Sequence, residues 1–300
     1  MTRPLRFGLV GTGHWAQIAH APALASTEGI EFAAVWGRNA DAAAQLAATY
    51  NATAHGDLAD FLAGVDAVSF AVPPDVQTPI ATRAARAGKH LLLEKPIAIS
   101  PADIDALADA VQSAQVASVV FFTARFQANV RAWLAEALAT GGWAGGCSVW
   151  LGSAQRQGSP FNTPWRREKG GLWDLGPHVI SLMWASLGAV RSVTADAGRG
   201  DVTHLVLHHD TGLTSTVTVT LAQPRNAEFS ELYLWGEAGR SVCPTETEDS
   251  VIPLRTALAE LAANARSGQF SHPCDVRFGR DVALILADAQ RQIERGGRDR

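Results

Sequence analysis

Three short stretches of this 300-residue chain carry side chains whose types and spacing could do chemistry. The first is Gly11-Thr12-Gly13-His14-Trp15-Ala16, the pattern G-x-G-x-x-A, directly after the apolar run Leu5–Val10. Between a strand and a helix, Gly11 permits a tight turn and Gly13 lets backbone approach a pyrophosphate. Ala16 keeps helix and strand close, and the free N–H groups and dipole at the helix N-terminus favour the diphosphate charge. The second is Glu94-Lys95-Pro96, after the apolar run His90–Leu93. Ligands of open α/β sheets bind at the carboxyl ends of the strands, so Lys95 is expected to face a cleft, on a backbone that Pro96 keeps extended. The third is Gly170-Gly171-Leu172-Trp173-Asp174-Leu175-Gly176-Pro177-His178, with a carboxylate and an imidazole four residues apart across a Gly-Pro corner where a helix begins. Such a pair can move a proton. Each stretch also has a plainer reading. The glycine pattern occurs in methyltransferases and in chance turns, a strand-end lysine is often merely solvated, Asp174 can cap a helix, and His178 can be a satisfied core residue.

A fourth signal stands at the end of the second strand, Val35-Trp36-Gly37-Arg38-Asn39. An NAD site puts Asp or Glu there for the ribose hydroxyls, whereas a cation suits a 2′-phosphate, so Arg38 favours NADP(H) over NAD(H). Alternatively Arg38 is a solvated loop residue or stacks on adenine. Arg125 follows another strand and is a cleft candidate by the same strand-end logic. Trp165-Arg166-Arg167 offers either a substrate cation and stacking surface or a packed Trp beside solvated arginines. Trp173 offers a carbohydrate-stacking face or core packing.

The elements that must position these groups follow from periodicity. Residues 5–10, 31–36, 67–72, 90–93 and 116–123 read as apolar strands, separated by helices over 15–25, 40–50, 58–62, 78–87 and 101–114. Asn39 and Ser100 are candidate N-caps, and Pro22 must end or kink the first helix. Continuous apolar strands alternating with helices imply a parallel sheet buried on both faces. After residue 120 the rhythm changes. A helix over 129–139, a strand over 147–151, a polar loop over 155–170 and a helix from about Pro177 precede alternating strands up to about Cys243, the mark of an antiparallel sheet with one open face. Helices over 254–267 and 275–294 and a frayed tail from Gly296 close an α/β chain, with domains expected at 1–120 and 121–300.

Composition narrows the partners. With 47 % hydrophobic and 18 % charged residues the chain has material for a large core and is not disordered. A net charge of −4 gives no general basic field for nucleic acid or anionic membrane. Three scattered cysteines without CxxC spacing suggest reduced thiols and no metal site. With neither a signal peptide nor a membrane-length apolar run, the expected location is cytoplasmic. Only Lys89, Lys95 and Lys169 are lysines among 25 cationic residues. Lys, unlike Arg, has an adjustable pKa.

Taken in order, G-x-G-x-x-A, then E-K-P after a parallel strand, then G-G-x-x-x-D-x-G-x-H, the chain resembles the glucose-fructose oxidoreductase/inositol dehydrogenase/MocA-type oxidoreductase family over nearly its whole length. The resemblance implies a Rossmann dinucleotide-binding domain with a parallel sheet, then an α+β domain with an open, mostly antiparallel sheet whose outer face forms homodimers or homotetramers. It also implies hydride transfer between nicotinamide C4 and a carbinol carbon of a sugar, cyclitol or related polyol. Lys95, Asp174 and His178 match the family's catalytic positions: His178 moves the hydroxyl proton, Lys95 stabilises the alkoxide, and Asp174 orients substrate or tunes His178. Gly11, Thr12, Gly13, His14 and Trp15 would line the pyrophosphate, Gly37, Arg38 and Asn39 the adenosine end, and Pro73, Pro74, Glu94 and Lys95 the remainder of the cofactor. Arg125, Trp165, Arg166, Trp173 and His178 are the substrate-side candidates. The chain departs from the family at Thr78, where His is frequent, and at Ser181, where Asp is frequent. Alternatives are a reductase of a dihydrodiol or tetrapyrrole, and a non-catalytic NADP-binding redox sensor, which would have no need of the Lys95–Asp174–His178 set.

Overall fold

Apolar runs too short to be helices need burial on both faces, and five such segments, with one short exposed edge strand (β3), form a single parallel sheet: β1 (Leu5–Val10), β2 (Ile30–Trp36), β3 (Thr53–His55), β4 (Ala67–Phe70), β5 (His90–Leu93) and β6 (Ser118–Val120). This is the computed structural model of the chain, which describes residues 3–246 and 248–297. The strand order β3-β2-β1-β4-β5-β6 is that of a doubly wound Rossmann sheet. Order reverses at β1, and the carboxyl ends of β1, β4 and β5 carry the motifs. Phe7, Leu9, Val68, Leu91 and Leu92 are fully buried in its core.

Helices α1 (Ala21–Ser26), α2 (Ala40–Thr49), α3 (Leu58–Ala63), α4 (Pro74–Arg86) and α5 (Pro101–Ala114) make the crossovers. Asn39 caps α2 by accepting the Ala42 N–H at 3.0 Å, and Ser100 caps α5 by accepting that of Asp103 at 3.2 Å. The single helix expected over 15–25 is instead a π-helical turn, Ala16–His20, followed by α1 with Pro22 in its first turn, where proline needs no donor.

The second sheet contains β7 (Trp143–Leu151), β8 (Val190–Ala197), β9 (Thr203–His209), β10 (Thr214–Thr220), β11 (Phe229–Gly236) and β12 (Gly239–Val242), in the order β12-β11-β7-β10-β9-β8. All its pairs are antiparallel except β7 with β10. Along β9, Thr203, Leu205, Leu207 and His209 are buried while the residues between them are not, the alternation of a sheet with one covered face. Helices α6 (Ala128–Thr140), α7 (Pro164–Asp174) and α8 (Gly176–Leu187) flank β7 in sequence, and α9 (Val251–Ser267) and α10 (Val276–Gly296) end the chain. Among the described residues no helix is long and apolar enough to cross a membrane.

The compact units are Met1–Phe126 with Glu248–Asp281, and Gln127–Thr247 with Val282–Arg300. The expected division at 1–120 and 121–300 is therefore corrected: the chain returns to its first unit near the end. Leu254, Ala257, Leu258 and Leu261 of α9 are fully buried, Cys274 O accepts the Val120 N–H at 2.7 Å, and Arg266 donates to Gly29 O. The loop expected over 155–170 is also corrected, since α7 begins at Pro164 with Thr163 as N-cap. Of the tail expected from Gly296, that residue closes α10 and residues 298–300 lie outside the described residues.

His209 yields a stability prediction. Its Nδ1 lies 2.8 Å from Gly188 O and its Nε2 2.9 Å from Ser215 Oγ, so Nδ1–H donates to the carbonyl and Nε2 accepts the hydroxyl, which fixes a neutral ring. Burial pushes this imidazole below the ordinary histidine value. The unfolded chain therefore binds the proton first as pH falls. The contribution of His209 is complete above about pH 6.5 and is lost as pH falls through the folded-state value. Chemical unfolding at about pH 7.5 and 5.5 should show that loss as lower stability at the lower pH, and His209→Gln should flatten the dependence. An unchanged slope in the variant would assign the pH dependence to other groups.

Candidate active site

The first unit assembles its motifs at the carboxyl ends of β1, β2, β4 and β5. Gly11 has φ +129° and donates its N–H to Trp36 O at 2.9 Å. A Cβ there would meet the Ala71 carbonyl oxygen at 2.5 Å, so only glycine lets the β1 end pass β4. At Gly13 the position of a Cβ has no neighbour within 4 Å, an open lip where backbone is bare. Thr12 Cγ2 fills the space beside Gly37. Gly13, His14 and Arg38 are exposed, and Arg38 makes no ion pair among the described residues. Exposed Asn39 uses its Oδ1 to cap α2. These residues fit a dinucleotide: a glycine turn at the switch point of the sheet, a bare backbone lip and a cation at the end of β2.

Glu94 ties the glycine turn to the E-K-P segment. Its Oε1 accepts Trp15 Nε1 at 2.7 Å and lies 3.1 Å from His20 Nε2, while His20 Nδ1 lies 2.8 Å from Ser69 Oγ. A serine, an imidazole and a carboxylate thus stand in register. His20 and Ser69 are both fully buried, so the arrangement positions Glu94 and leaves no access for a nucleophile. Buried Gln77 of α4 grips the same turn, accepting the Glu94 N–H at 2.8 Å and donating to Glu94 O at 2.9 Å. Lys95 is half-buried, its N–H 3.3 Å from Glu94 Oε2, and the Lys95–Pro96 peptide is cis. Pro73 and Pro74 open α4. Thr78 is buried and donates to Pro74 O at 2.7 Å, a structural role at the position where the resemblance places His. Arg125, on a 3-10 turn after β6, lies over the Phe278 ring at 5.7 Å.

In the second unit, Gly170 (φ +65°) interrupts α7 and Asp201 pins the break. Asp201 accepts the Gly171 N–H at 3.0 Å (Oδ1) and the Leu221 N–H at 2.6 Å (Oδ2). A Cβ on Gly171 would stand 2.7 Å from Thr220 Cα, so the helix rests directly on β10. Asp174 ends α7, buried to 6 % exposure, and its Oδ2 accepts Arg166 Nε at 2.9 Å. His178 lies in the first turn of α8, 8 % exposed, its ring 5.8 Å from that of Trp150 on β7. Ser181, where the family frequently has Asp, is fully buried and donates to His178 O at 2.8 Å. The carbohydrate-face alternative for Trp173 is corrected: the ring is 1 % exposed, with Nε1 3.3 Å from Gln290 Oε1, and has no surface to offer a sugar.

Sequence reading missed His20, Ser69, Gln77 and Asp201. The first two left a faint signal, a lone histidine in Ile18-Ala19-His20-Ala21 and a lone serine in an apolar strand. Asp201 left none, since its partners are about 20 and 30 residues away.

Residues 5–122 match the model of an oxidoreductase family with an NAD-binding Rossmann fold, GFO/IDH/MocA, and residues 104–242 match the GFO/IDH/MocA C-terminal domain. A 4-carboxy-2-hydroxymuconate-6-semialdehyde dehydrogenase of Sphingobium sp. is 34 % identical over 125 residues, 41 % of this chain and 39 % of that protein. A UDP-N-acetylglucosamine 3-dehydrogenase of Acidithiobacillus ferrooxidans is 36 % identical over 103 residues, 34 % of this chain and 32 % of that protein. The aligned segments thus span about a third to two fifths of these curated relatives. The fold extends further: the crystal structure of GenD2 from gentamicin A biosynthesis, in complex with NAD, superposes with a TM-score of 0.85 at 20 % identity, covering 99 % of this chain and 96 % of that one.

Proposed function

Because the chain belongs to the GFO/IDH/MocA oxidoreductase family, we propose that it transfers hydride between a nicotinamide dinucleotide, NADP(H) in preference to NAD(H), and a carbinol or carbonyl carbon of a sugar, cyclitol or related small polyol. The observation that carries this reading is the Glu94-Lys95 turn, held by Gln77 and linked through Glu94 to Trp15 of the glycine turn. When bound, the dinucleotide supplies the hydride acceptor or donor. In this reading His178 takes the substrate hydroxyl proton, or returns it in reduction. The Lys95 ammonium stabilises the charge that develops on that oxygen. Asp174 orients the reacting hydroxyl, its own geometry fixed by Arg166. The UDP-N-acetylglucosamine 3-dehydrogenase among the relatives supports a carbohydrate substrate. Screening polyols and keto-sugars with NADP⁺, NADPH and their NAD counterparts, followed by nicotinamide absorbance, tests the reading. Cofactor binding with no turnover across the panel would favour a sensor.

Exposed Arg38 at the end of β2 supports the cofactor preference. Arg38→Ala should weaken NADPH binding about 10-fold or more and leave NADH within about threefold, as expected for one charged contact to phosphate. Fluorescence titration measures both, and tighter binding of NADH than of NADPH by the unaltered protein would remove the preference. A homodimer or homotetramer is part of the same reading. Phe229, Trp235 and Val242 leave exposed apolar surface on β11 and β12 of the second sheet, and light scattering reads the mass. The three free cysteines support a reducing, cytoplasmic setting.

A further inference from the structure

Arg166 is committed on one side and open on the other. Its Nε donates to Asp174, and its guanidinium carbon lies 5.4 Å from the centroid of the Phe161 ring and 5.7 Å from that of Trp165. These contacts use one donor and the planar surface of the group, so the two terminal Nη groups keep no acceptor among the described residues. The side chain is 24 % exposed, which leaves that end within reach of solvent. Beside it, Trp165 Nε1 is shielded from water and has no acceptor among the described residues. A shielded donor without an acceptor is uncommon in a folded protein, and here it adjoins a cation whose outer fork is unfilled.

The surrounding charge points the same way. Residues 155–174 carry Arg156, Arg166, Arg167 and Lys169 against Glu168 and Asp174, in a chain whose net charge is −4. Glu168 is engaged by Lys169 at 2.9 Å and Asp174 by Arg166, while Arg167 donates to Asn162 at 2.9 Å. The segment is therefore cationic around its one stacked guanidinium. An arginine held by its Nε and by aromatic rings is a preset fork for a planar oxyanion, which it binds through two parallel N–H donors. The Asp174 carboxylate 2.9 Å from the same guanidinium disfavours a dianion.

We propose that Arg166, with Trp165, is a specificity site for a carboxylate on the substrate, so that the preferred substrate is a sugar acid or related hydroxy acid and not a neutral polyol. This rests on the oxidoreductase reading and narrows its substrate class.

The test offers glucose, galactose and mannose, each as the neutral sugar, the aldonate, the uronate and the 6-phosphate. Turnover is read with NADP⁺ and NAD⁺, and binding by thermal shift. At least one acid should exceed its neutral partner about 10-fold or more in kcat/KM. Arg166→Met should bring that ratio to within about threefold of unity, and Arg166→Lys, which keeps the charge without the fork, should retain only part of it. Neutral sugars turned over as well as their acids would overturn the inference and leave the oxidoreductase reading standing. An acid preference that Arg166→Met leaves intact, a 6-phosphate preferred to both acids, or no acid bound above its neutral partner would each overturn it as well. Acid binding abolished by Arg166→Met, without turnover by either nucleotide, would uphold the carboxylate site and count against the oxidoreductase reading.

Discussion

Lys95→Met and His178→Gln should each lower turnover by about 10²-fold or more, with His178→Gln leaving dinucleotide affinity within about threefold. Methionine keeps most of the length of the lysine stem and removes only the ammonium, so the loss reports the charge and its proton. The backbone on which Lys95 sits is fixed independently of its side chain, since Gln77 holds both the N–H and the carbonyl of Glu94 and the Glu94 carboxylate is held by Trp15 and His20. The substitution therefore has little reason to unfold the turn. His178 sits in the first turn of α8 with its backbone carbonyl bound by Ser181, and glutamine fits such a position without supplying a titrating group. Steady-state turnover with the best substrate of the polyol panel, together with fluorescence titration of reduced dinucleotide, makes the measurement. Either variant turning over within about threefold of the unaltered protein would remove its residue from the proton and charge chemistry.

What could be read from the sequence was local. G-x-G-x-x-A works because all its requirements, a turn, a bare backbone and a helix start, fall within six residues, and Gly11 and Gly13 meet them at φ +129° and at an open lip. The central strands were legible because Leu91, Leu92 and Leu93 are buried on both faces and leave an unbroken apolar run. Strand β3 was not, because at the sheet edge Thr53 and Ala54 are exposed and no pattern remains. The start of α7 falls inside the segment expected as a polar loop, because Pro164 occupies a first-turn position behind the Thr163 cap and does not break the helix. Long-range facts were out of reach: nothing in residues 248–281 announces that they pack in the first unit, and nothing near Gly170 announces Asp201. The motifs are legible as short patterns, whereas Ser69, Gln77 and Asp201, which brace the Glu94 turn and the α7 break, come from segments of the chain far from them.

The break in α7 at Gly170 depends on one such distant contact, that of Asp201. Gly170→Ala should destabilise the protein by about 3 kcal/mol, lowering the unfolding temperature by roughly 10 °C, and should reduce turnover with it. Two causes add. An L side chain at φ +65° costs about 1 kcal/mol, and the new Cβ would overlap Asp201 Oδ1. Moving that carboxylate would leave the N–H groups of Gly171 and Leu221 without their charged acceptor, at about 1.5–3 kcal/mol. Asp201→Ala alone removes the same acceptor without the overlap or the backbone cost. The double variant separates the causes: with Asp201 gone the overlap disappears, so the pair should be less destabilised than the sum of the singles by about 1 kcal/mol or more. Simple additivity would mean that Asp201 does not pin the kink. Turnover should fall in both singles by more than the unfolded fraction explains, because Arg166 lies before the break and Asp174 after it, and their 2.9 Å contact spans it. A Gly170→Ala protein that melts and turns over like its parent would show instead that the α7 break is incidental to the placement of Asp174.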